Sequence, residues 1–454
     1  MGGKFVKLIS INVKKLYGCY DYHVNFNSDV TFIYGLNGCG KTTILNITEA
    51  IITGQLFKLF NYQFSDITLQ YAKSSIPNEA KEISILSNKQ ELSITFEKST
   101  YSIELVELEE GIRQAKNLNY ISRIYFNRYN FLVEIRDTFN YVYLPLSRSY
   151  VTYEDVDEIS PYTARLHNRH LLNDDYTGID NRDGAMLKIE TLIYQRYSKA
   201  NSAINRINDM FRNNMLKPLI ELNGTYNFAN FINEITNKDV SSFKKIQHSY
   251  IKILKELKLI NSQDEDNYNT FFTNFINEFI DYSNNSNREG IPLELVFNFQ
   301  EISRIQKTID IAEKMEQQKA AITKPMETFL NTMNSFIKNS EDGKELCVNN
   351  EGYVYFKTKY SKKPISIQYL SSGEKQLITF FANLIFRVKD KSSGIFVVDE
   401  PELSLHLSWQ KIFIDKVLEV NKNIQLIFAT HAPEIIGSRR NKMYKLEKNY
   451  TKVD

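Results

Sequence analysis

The chain has 454 residues, of which 42% are hydrophobic and 24% charged, a composition that excludes an intrinsically disordered protein. Fifty-six Lys and Arg against 54 Asp and Glu leave a net charge of +2, so neither a strongly basic nucleic-acid coat nor an acidic tail is encoded. Cys19, Cys39 and Cys347 are too few and too dispersed for a disulfide framework. No run of eighteen apolar residues is present, so no bilayer-spanning helix is expected.

Met1 to Val13 alternates apolar and polar residues and lacks the long apolar core of a signal peptide. Gly2 suggests myristoylation, but that pattern needs Ser or Thr at the sixth position, where Val6 stands. The expectation is a first strand, Phe5 to Val13, of a cytoplasmic protein. Period-two alternation predicts further strands at Asp29 to Tyr34, Ile83 to Leu86, Leu92 to Phe96 and Tyr101 to Leu105.

The strand ending at Tyr34 runs into Gly35-x-x-x-x-Gly40-Lys41-Thr42, and a helix is predicted to follow. Glycines there let backbone N–H groups turn inward around a phosphate, and the helix N-terminus favours the same negative charge. Lys41 is placed to reach the β- and γ-phosphates, and the Thr42 hydroxyl to ligate Mg²⁺. The expected ATP contacts are Gly35, Asn37, Gly38, Cys39, Gly40, Lys41, Thr42 and Thr43. For Cys39 a small residue tolerated beside the phosphates is favoured over a redox switch, which needs a lowered thiol pKa.

From about residue 154 to 340 the pattern turns helical and polar. Met186 to Leu222 and Glu301 to Asn339 carry apolar residues at spacings of three and four, and Pro325 is read as an interruption of the latter. Phe271, Phe272, Phe275 and Phe279 are predicted to share one helical face. Two acidic pairs, Asp155-x-Asp157 and Asp264-x-Asp266, and the cluster His167-Asn168-Arg169-His170 lie in this region without the flanking strands or cysteines a nuclease or metal site needs. Sustained heptads are absent, so a compact helical lid or short arm is expected rather than a long coiled coil.

Strands return after Tyr353. Leu370-Ser371-Ser372-Gly373-Glu374-Lys375-Gln376 precedes a predicted helix from Leu377 to Val388, with Ser371 or Ser372 as its N-cap. An apolar strand, Ile395 to Val398, delivers Asp399 and Glu400 to the carboxyl edge of a sheet, where ligands gather in open α/β folds. Asp399 is suited to the Mg²⁺ shell and Glu400 to polarising the attacking water. A second apolar strand from Leu426 delivers His431. The tail from Ser438 to Asp454 holds six Lys or Arg against two acids and reads as a solvated final strand or, alternatively, a DNA contact.

The phrase Leu-Ser-x-Gly-Glu-x-Gln resembles the signature motif of ABC-type ATPases, the class that includes transporter motors, SMC proteins and RecF. The resemblance implies that two heads sandwich two ATP molecules, with Ser371 and Gly373 of one head contacting the γ-phosphate bound in the other. It makes His431 the γ-phosphate-sensing switch histidine and places Pro401 to His406 in the D-loop, His406 standing between a packing and a site role. Gly373 precedes Asp399 by 26 residues and Asp399 precedes His431 by 32, as a compact head of this class requires. Lys41 precedes Ser371 by 330, so a large insertion interrupts the head, which makes a transporter subunit a poor fit.

The wording of DEPELSLHLSWQ, ATHAPEII and LSSGEKQ is similar to that of the OLD-related ATPase subunits of anti-phage defence systems such as PARIS and Septu. Tyr141 to Tyr150 resembles a head strand of that group, which would make Arg148 a phosphate or inter-head contact; a solvated strand end is the other reading. The glutamine that links Mg²⁺ to the insertion in this class has three candidates, Gln55, Gln63 and Gln70. OLD proteins proper carry a TOPRIM nuclease after the ATPase core; with 23 residues after His431 in this sequence, none is expected here. A nuclease or toxin is therefore expected on another polypeptide.

The expected fold class is α/β, an ABC-type P-loop ATPase head split by a mostly helical insertion. The expected domains are 1–150, the N-terminal lobe; 151–345, the insertion; and 346–454, the C-terminal lobe. The expected function is an ATPase using ATP and Mg²⁺, whose head-to-head homo-oligomer controls a nuclease or toxin effector in response to DNA or a phage protein, away from any membrane. The alternative is a RecF- or SMC-like DNA-binding repair ATPase.

Overall fold

The computed structural model describes residues 6–73, 80–88, 90–105, 118–139, 184–220, 239–256, 259–284, 290–338, 340–361, 363–386 and 394–450. The chain divides into two compact units, one of residues 1–196 with 326–454 and the other of residues 197–325. Arg148, Asp155, Asp157 and the cluster His167 to His170 lie outside the described residues. Among the described residues no helix is long and apolar enough to cross a membrane.

The first unit is built on two large sheets. Strands are numbered in chain order: β1 Val6–Leu16, β2 Tyr20–Asn25, β3 Val30–Tyr34, β4 Asp66–Lys73, β5 Ala80–Ser87, β6 Glu91–Phe96, β7 Ser99–Glu104, β8 Glu345–Val348, β9 Val354–Lys357, β10 Ile365–Ser366, β11 Ile395–Asp399, β12 Gln425–Ala429, β13 Met443–Lys445 and β14 Asn449–Tyr450. A seven-stranded antiparallel sheet has the order β14-β2-β1-β4-β5-β6-β7. A four-stranded parallel sheet has the order β11-β12-β3-β13. Strands β8 to β10 make a small antiparallel sheet of their own.

The parallel strands are apolar at nearly every position because both faces are covered. Ile33, Ile395, Val397, Ile427 and Ala429 join one core with the helix α1, Lys41–Ile52, and with Leu8, Ile11 and Leu69 of the antiparallel sheet. Phe32, Phe396, Val398, Leu426 and Phe428, on the opposite pleat, join a second core. That core is completed by Phe380 and Phe381 of the helix Ser372–Phe386 and by Phe413 and Val417 of the helix Leu407–Val420. Each such buried side chain stabilises the fold by about 1.5–3 kcal/mol relative to exposure. The apolar strand runs read from the sequence thus feed two cores, one on each face of the sheet.

The second unit is helical. Its core gathers Phe243, Ile246, Phe272, Phe275, Phe279, Leu295 and Phe299, with Phe243 edge-on to Phe275 at a centroid distance of 5.0 Å. Phe272, Phe275 and Phe279 are the buried face of the helix Ser262–Asn284, and Phe271 packs at its margin. Asp264 lies in the first turn of that helix, where it accepts from the Asn261 N–H at 3.0 Å, an ordinary place for an acid.

Pro325 does not end its helix. Leu293–Ile337 is one helix of 45 residues with Pro325 inside it. A proline removes one backbone donor and crowds the preceding turn, but apolar contacts secure both flanks: Ile309 and Met315 are buried before it, Phe329, Met333 and Phe336 after it. Packing on either side outweighs the local penalty.

Candidate nucleotide site

The parallel order brings the separate sequence motifs to one edge. Ile33, Ala429 and Asp399 lie abreast in register on β3, β12 and β11. The ladder continues past the strand ends: the Thr430 N–H donates to the Ile33 carbonyl at 3.2 Å and the Glu400 N–H to the Ala429 carbonyl at 2.8 Å. The phosphate-loop motif, the Asp399-Glu400 pair and the Thr430-His431 turn therefore leave the sheet side by side.

The loop from Gly35 to Gly40 is shaped by close approaches. Gly40 caps α1 with φ +103°, and a Cβ on it would meet the Tyr22 hydroxyl oxygen at 2.8 Å. That hydroxyl donates to the Cys39 carbonyl at 3.0 Å, so Tyr22, from the antiparallel sheet, braces the loop. Burial pushes the Tyr22 pKa up to about 12, which keeps it a donor. Cys39 is buried and packs against bare Gly35, whose Cβ would come within 2.7 Å of its Sγ. Its thiol lies 4.0 Å from Lys41 Nζ.

Lys41 is only 6% exposed, and its Nζ donates to the Gly35 and Leu36 carbonyls at 3.1 and 3.3 Å. Its charge also reaches Asp399. The Asp399 pKa is raised: burial pushes it up most, the Thr42 hydroxyl and the charges of Lys41 and His431 pull it down, and Glu402 adds to the rise. One oxygen of Asp399, Oδ1, is buried with no hydrogen-bond partner. A buried carboxylate oxygen left without a donor is costly, and a bound cation would offset that cost. The donor set, one carboxylate and one threonine hydroxyl, consists of hard oxygens, which suits Mg²⁺, an ion that keeps several of its waters. The residues present fit that ion.

Glu400 is held at φ 48°, ψ 56°, left-handed for a non-glycine residue, directly before the short turn Pro401–Ser404. Such a conformation costs of order 1–3 kcal/mol and persists where surrounding structure enforces it. The Glu400 N–H is anchored to the Ala429 carbonyl, and the turn that follows is closed by the Leu405 N–H bond to the Glu402 carbonyl.

Ser371 and Glu374 form a reciprocal cap at the start of the helix Ser372–Phe386. The Ser371 hydroxyl accepts from the Glu374 N–H at 3.4 Å, and the Ser371 N–H donates to Glu374 Oε2 at 2.8 Å. Lys344 Nζ, at 3.0 Å from Oε1, neutralises the buried Glu374 carboxylate. Gly373 is buried in the first turn. His406 caps the helix Leu407–Val420, its Nδ1 accepting from the Ser408 N–H at 3.3 Å.

Of the three glutamines, Gln70 accepts from the Ser10 hydroxyl at 3.1 Å within the antiparallel sheet, Gln63 lies 3.6 Å from the Cβ position of Gly18, and Gln55 precedes the turn Leu56–Asn61. In the basic tail, Lys442 pairs with Asp29 at 2.8 Å and Arg439 with Asp415, so part of its charge is spent within the fold. Tyr22 escaped the motif reading, since it sits in another sheet and no local pattern marks it.

A family model described as an AAA ATPase domain matches residues 7–436, a span that includes every residue of this edge. Over 80 residues, 16% of this chain and 15% of its counterpart, the chain is 34% identical to the retron Ec83 probable ATPase of Escherichia coli. Over 448 residues it is 22% identical to the endonuclease GajA of Bacillus cereus (strain HuB5-5), covering 92% of this chain and 53% of that one. The chain thus matches about half or less of the length of these curated relatives. Among solved structures, an Smc head domain with an extended coiled coil bound to the C-terminal domain of ScpA, derived from Pyrococcus furiosus, aligns over 98% of this chain and 96% of that one. Its TM-score is 0.39 and its identity 11%.

Proposed function

The chain belongs to the AAA ATPase domain family, as an ABC-type ATPase of the SMC, RecF and OLD-like kind, and we propose that its nucleotide-driven head dimerisation controls a separate effector. The triphosphate of ATP lies on the loop from Gly35 to Gly40 and the start of α1, with contacts from Gly35, Asn37, Gly38, Cys39, Gly40, Lys41, Thr42 and Thr43. Thr42 and Asp399 would hold Mg²⁺, which would supply neutralisation of the phosphate charge. Glu400 accepts the proton of the attacking water. His431 faces the γ-phosphate from the neighbouring strand end. Ser371 and Gly373 of the opposite head complete the site.

Binding two nucleotides favours the closed pair because each contributes contacts only there, and a ligand shifts an equilibrium by its differential affinity. Hydrolysis removes the γ-phosphate contacts and releases the heads. The helical insertion, 151–345, reports the change to a nuclease or toxin in anti-phage defence, in the cytoplasm, with DNA or a phage protein as trigger. The names of the matched relatives, a retron ATPase and an endonuclease, support pairing this ATPase with a nucleic-acid-directed effector. The observation that carries the nucleotide reading is the buried, partnerless Asp399 Oδ1 within reach of Thr42 and Lys41.

The test is purified Glu400→Gln protein with MgATP, analysed by mass photometry and phosphate release. It is expected to bind ATP, to hydrolyse it about 10²-fold or more slowly, and to accumulate dimers. Hydrolysis at the wild-type rate would refute the base assignment, and an unchanged mass would refute the dimer switch. Co-purification with genomic neighbours, with and without ATP, identifies the effector.

A further inference from the structure

The turn after β11 and the turn after β12 are tied by one carboxylate. Glu402 Oε2 accepts from the Thr430 hydroxyl at 2.9 Å, and Glu402 Oε1 accepts from the backbone N–H of His431 at 2.7 Å. The Thr430 oxygen in turn accepts from the Ala432 N–H at 3.0 Å. The backbone of Glu402 is anchored as well: its carbonyl accepts from the Leu405 N–H at 3.2 Å, and the buried Gln410 carboxamide donates to the Leu405 carbonyl at 2.9 Å. Glu402 thus holds Thr430 and His431 directly, and Ala432 through the Thr430 oxygen.

The chemistry asks for a carboxylate. Two donors arrive together, a hydroxyl and a backbone N–H, and only a carboxylate offers two acceptor oxygens, whereas a carboxamide offers one. The arrangement also sets Glu402 close enough to Asp399 for their charges to repel. Merely filling the first turn of Pro401–Ser404 needs neither the bonds across to β12 nor that repulsion.

We infer that Glu402 is a positioning residue for hydrolysis: it fixes the His431 backbone relative to Asp399 and Glu400, so that the two turns move as one body. This rests on the ATPase reading above. Displacing a catalytic-site group by about 1 Å costs up to about 10²-fold in rate, while the phosphate loop, which Glu402 does not touch, keeps its affinity.

The test is steady-state MgATP hydrolysis by Glu402→Ala, Glu402→Gln, Thr430→Val, His431→Ala and the double variant Glu402→Ala/His431→Ala. Glu402→Ala is expected to lower kcat about 10- to 100-fold with KM for ATP within about threefold of wild type. Glu402→Gln, which keeps an acceptor for the His431 N–H, is expected to recover about tenfold of that loss. In the His431→Ala background the Glu402→Ala change is expected to add less than about threefold, because residues acting through one another are non-additive. Should Glu402→Ala not fold, Glu402→Gln and Thr430→Val, which each weaken one arm of the clamp, are read the same way. Multiplying effects in the double variant, or a raised KM with unchanged kcat, would overturn the role. A wild-type protein without MgATP hydrolysis overturns the ATPase reading and this role together; an active wild type with fully active Glu402 variants overturns this role alone.

Discussion

Asp399, at the end of β11, lies in register with Ala429 of β12, which pairs in turn with Ile33 of β3, the strand that leads into α1 and Thr42. The Thr42 hydroxyl and the Lys41 charge both favour the ionised Asp399 carboxyl, whose burial disfavours it, and Asp399 Oδ1 has no hydrogen-bond partner.

Thr42→Val keeps the shape of the side chain and removes that hydroxyl. MgATP hydrolysis is expected to fall about 10²-fold or more, and Thr42→Ser to retain most of it. Phosphate release at saturating ATP over a Mg²⁺ titration measures both, and equal activity in Val and Ser variants would deny the hydroxyl its role.

Gly40→Ala is expected to cost about 1–3 kcal/mol of stability and most of the ATP affinity, because φ is +103° and the new methyl meets the Tyr22 hydroxyl oxygen at 2.8 Å. Gly38→Ala, at φ +74° with nothing within 4 Å of its Cβ position, is expected to cost only about 1–2 kcal/mol. Urea unfolding of the two variants checks the order.

Gln425 is fully buried at the start of β12. Its carboxamide accepts from the Leu8 N–H at 2.8 Å and donates to the Leu8 and Asn27 carbonyls, each at 2.8 Å. The β1–β4 register shifts between Leu8 and Ser10, and Gln425 serves backbone groups at that irregularity. Gln425→Ala is expected to destabilise the first unit by about 2–4 kcal/mol, since buried donors and acceptors lose their partners. A loss below about 0.5 kcal/mol in urea unfolding would show that the backbone re-pairs without it.

Asp29 and Lys442 form a half-exposed pair at 2.8 Å. Burial pushes the Asp29 carboxyl up, but the Lys442 hydrogen bond, the Val30 N–H and the Lys442 charge outweigh it and hold its pKa below the usual 3.8. A depressed folded pKa contributes stability that is present above the unfolded value and lost as pH falls through the folded one. Asp29→Asn is therefore expected to cost at most about 1 kcal/mol at pH 7 after solvent screening. The difference from wild type shrinks as pH drops below 3.8, and denaturant melts across that range measure it.

Tyr71 is fully buried, its hydroxyl has no hydrogen-bond partner, and burial raises its pKa to about 12. Tyr71→Phe keeps the edge-on contact with Phe139 at 5.0 Å and removes the unsatisfied group. It is expected to stabilise the protein by about 1 kcal/mol. A lower melting temperature in a thermal scan would contradict this.

The sequence by itself determined the local pattern at the sheet edge: the glycines and lysine between β3 and α1, the Asp399-Glu400 pair after an apolar strand, the capped start of the helix Ser372–Phe386, and the alternation of the antiparallel strands. Each of these is a local signal, carried by backbone conformation, helix capping or period-two burial over a few neighbouring residues. Only the tertiary structure decided which strands lie side by side, and so that Asp399 faces Thr42. It also decided that Glu402 clamps His431, that Tyr22 braces the loop, that Gln425 serves Leu8, and that the last long helix continues through Pro325. The physical reason is common to all of them. A buried hydrogen bond between residues distant in the chain leaves no local pattern, and a proline's penalty is overcome only by packing that the chain creates once folded.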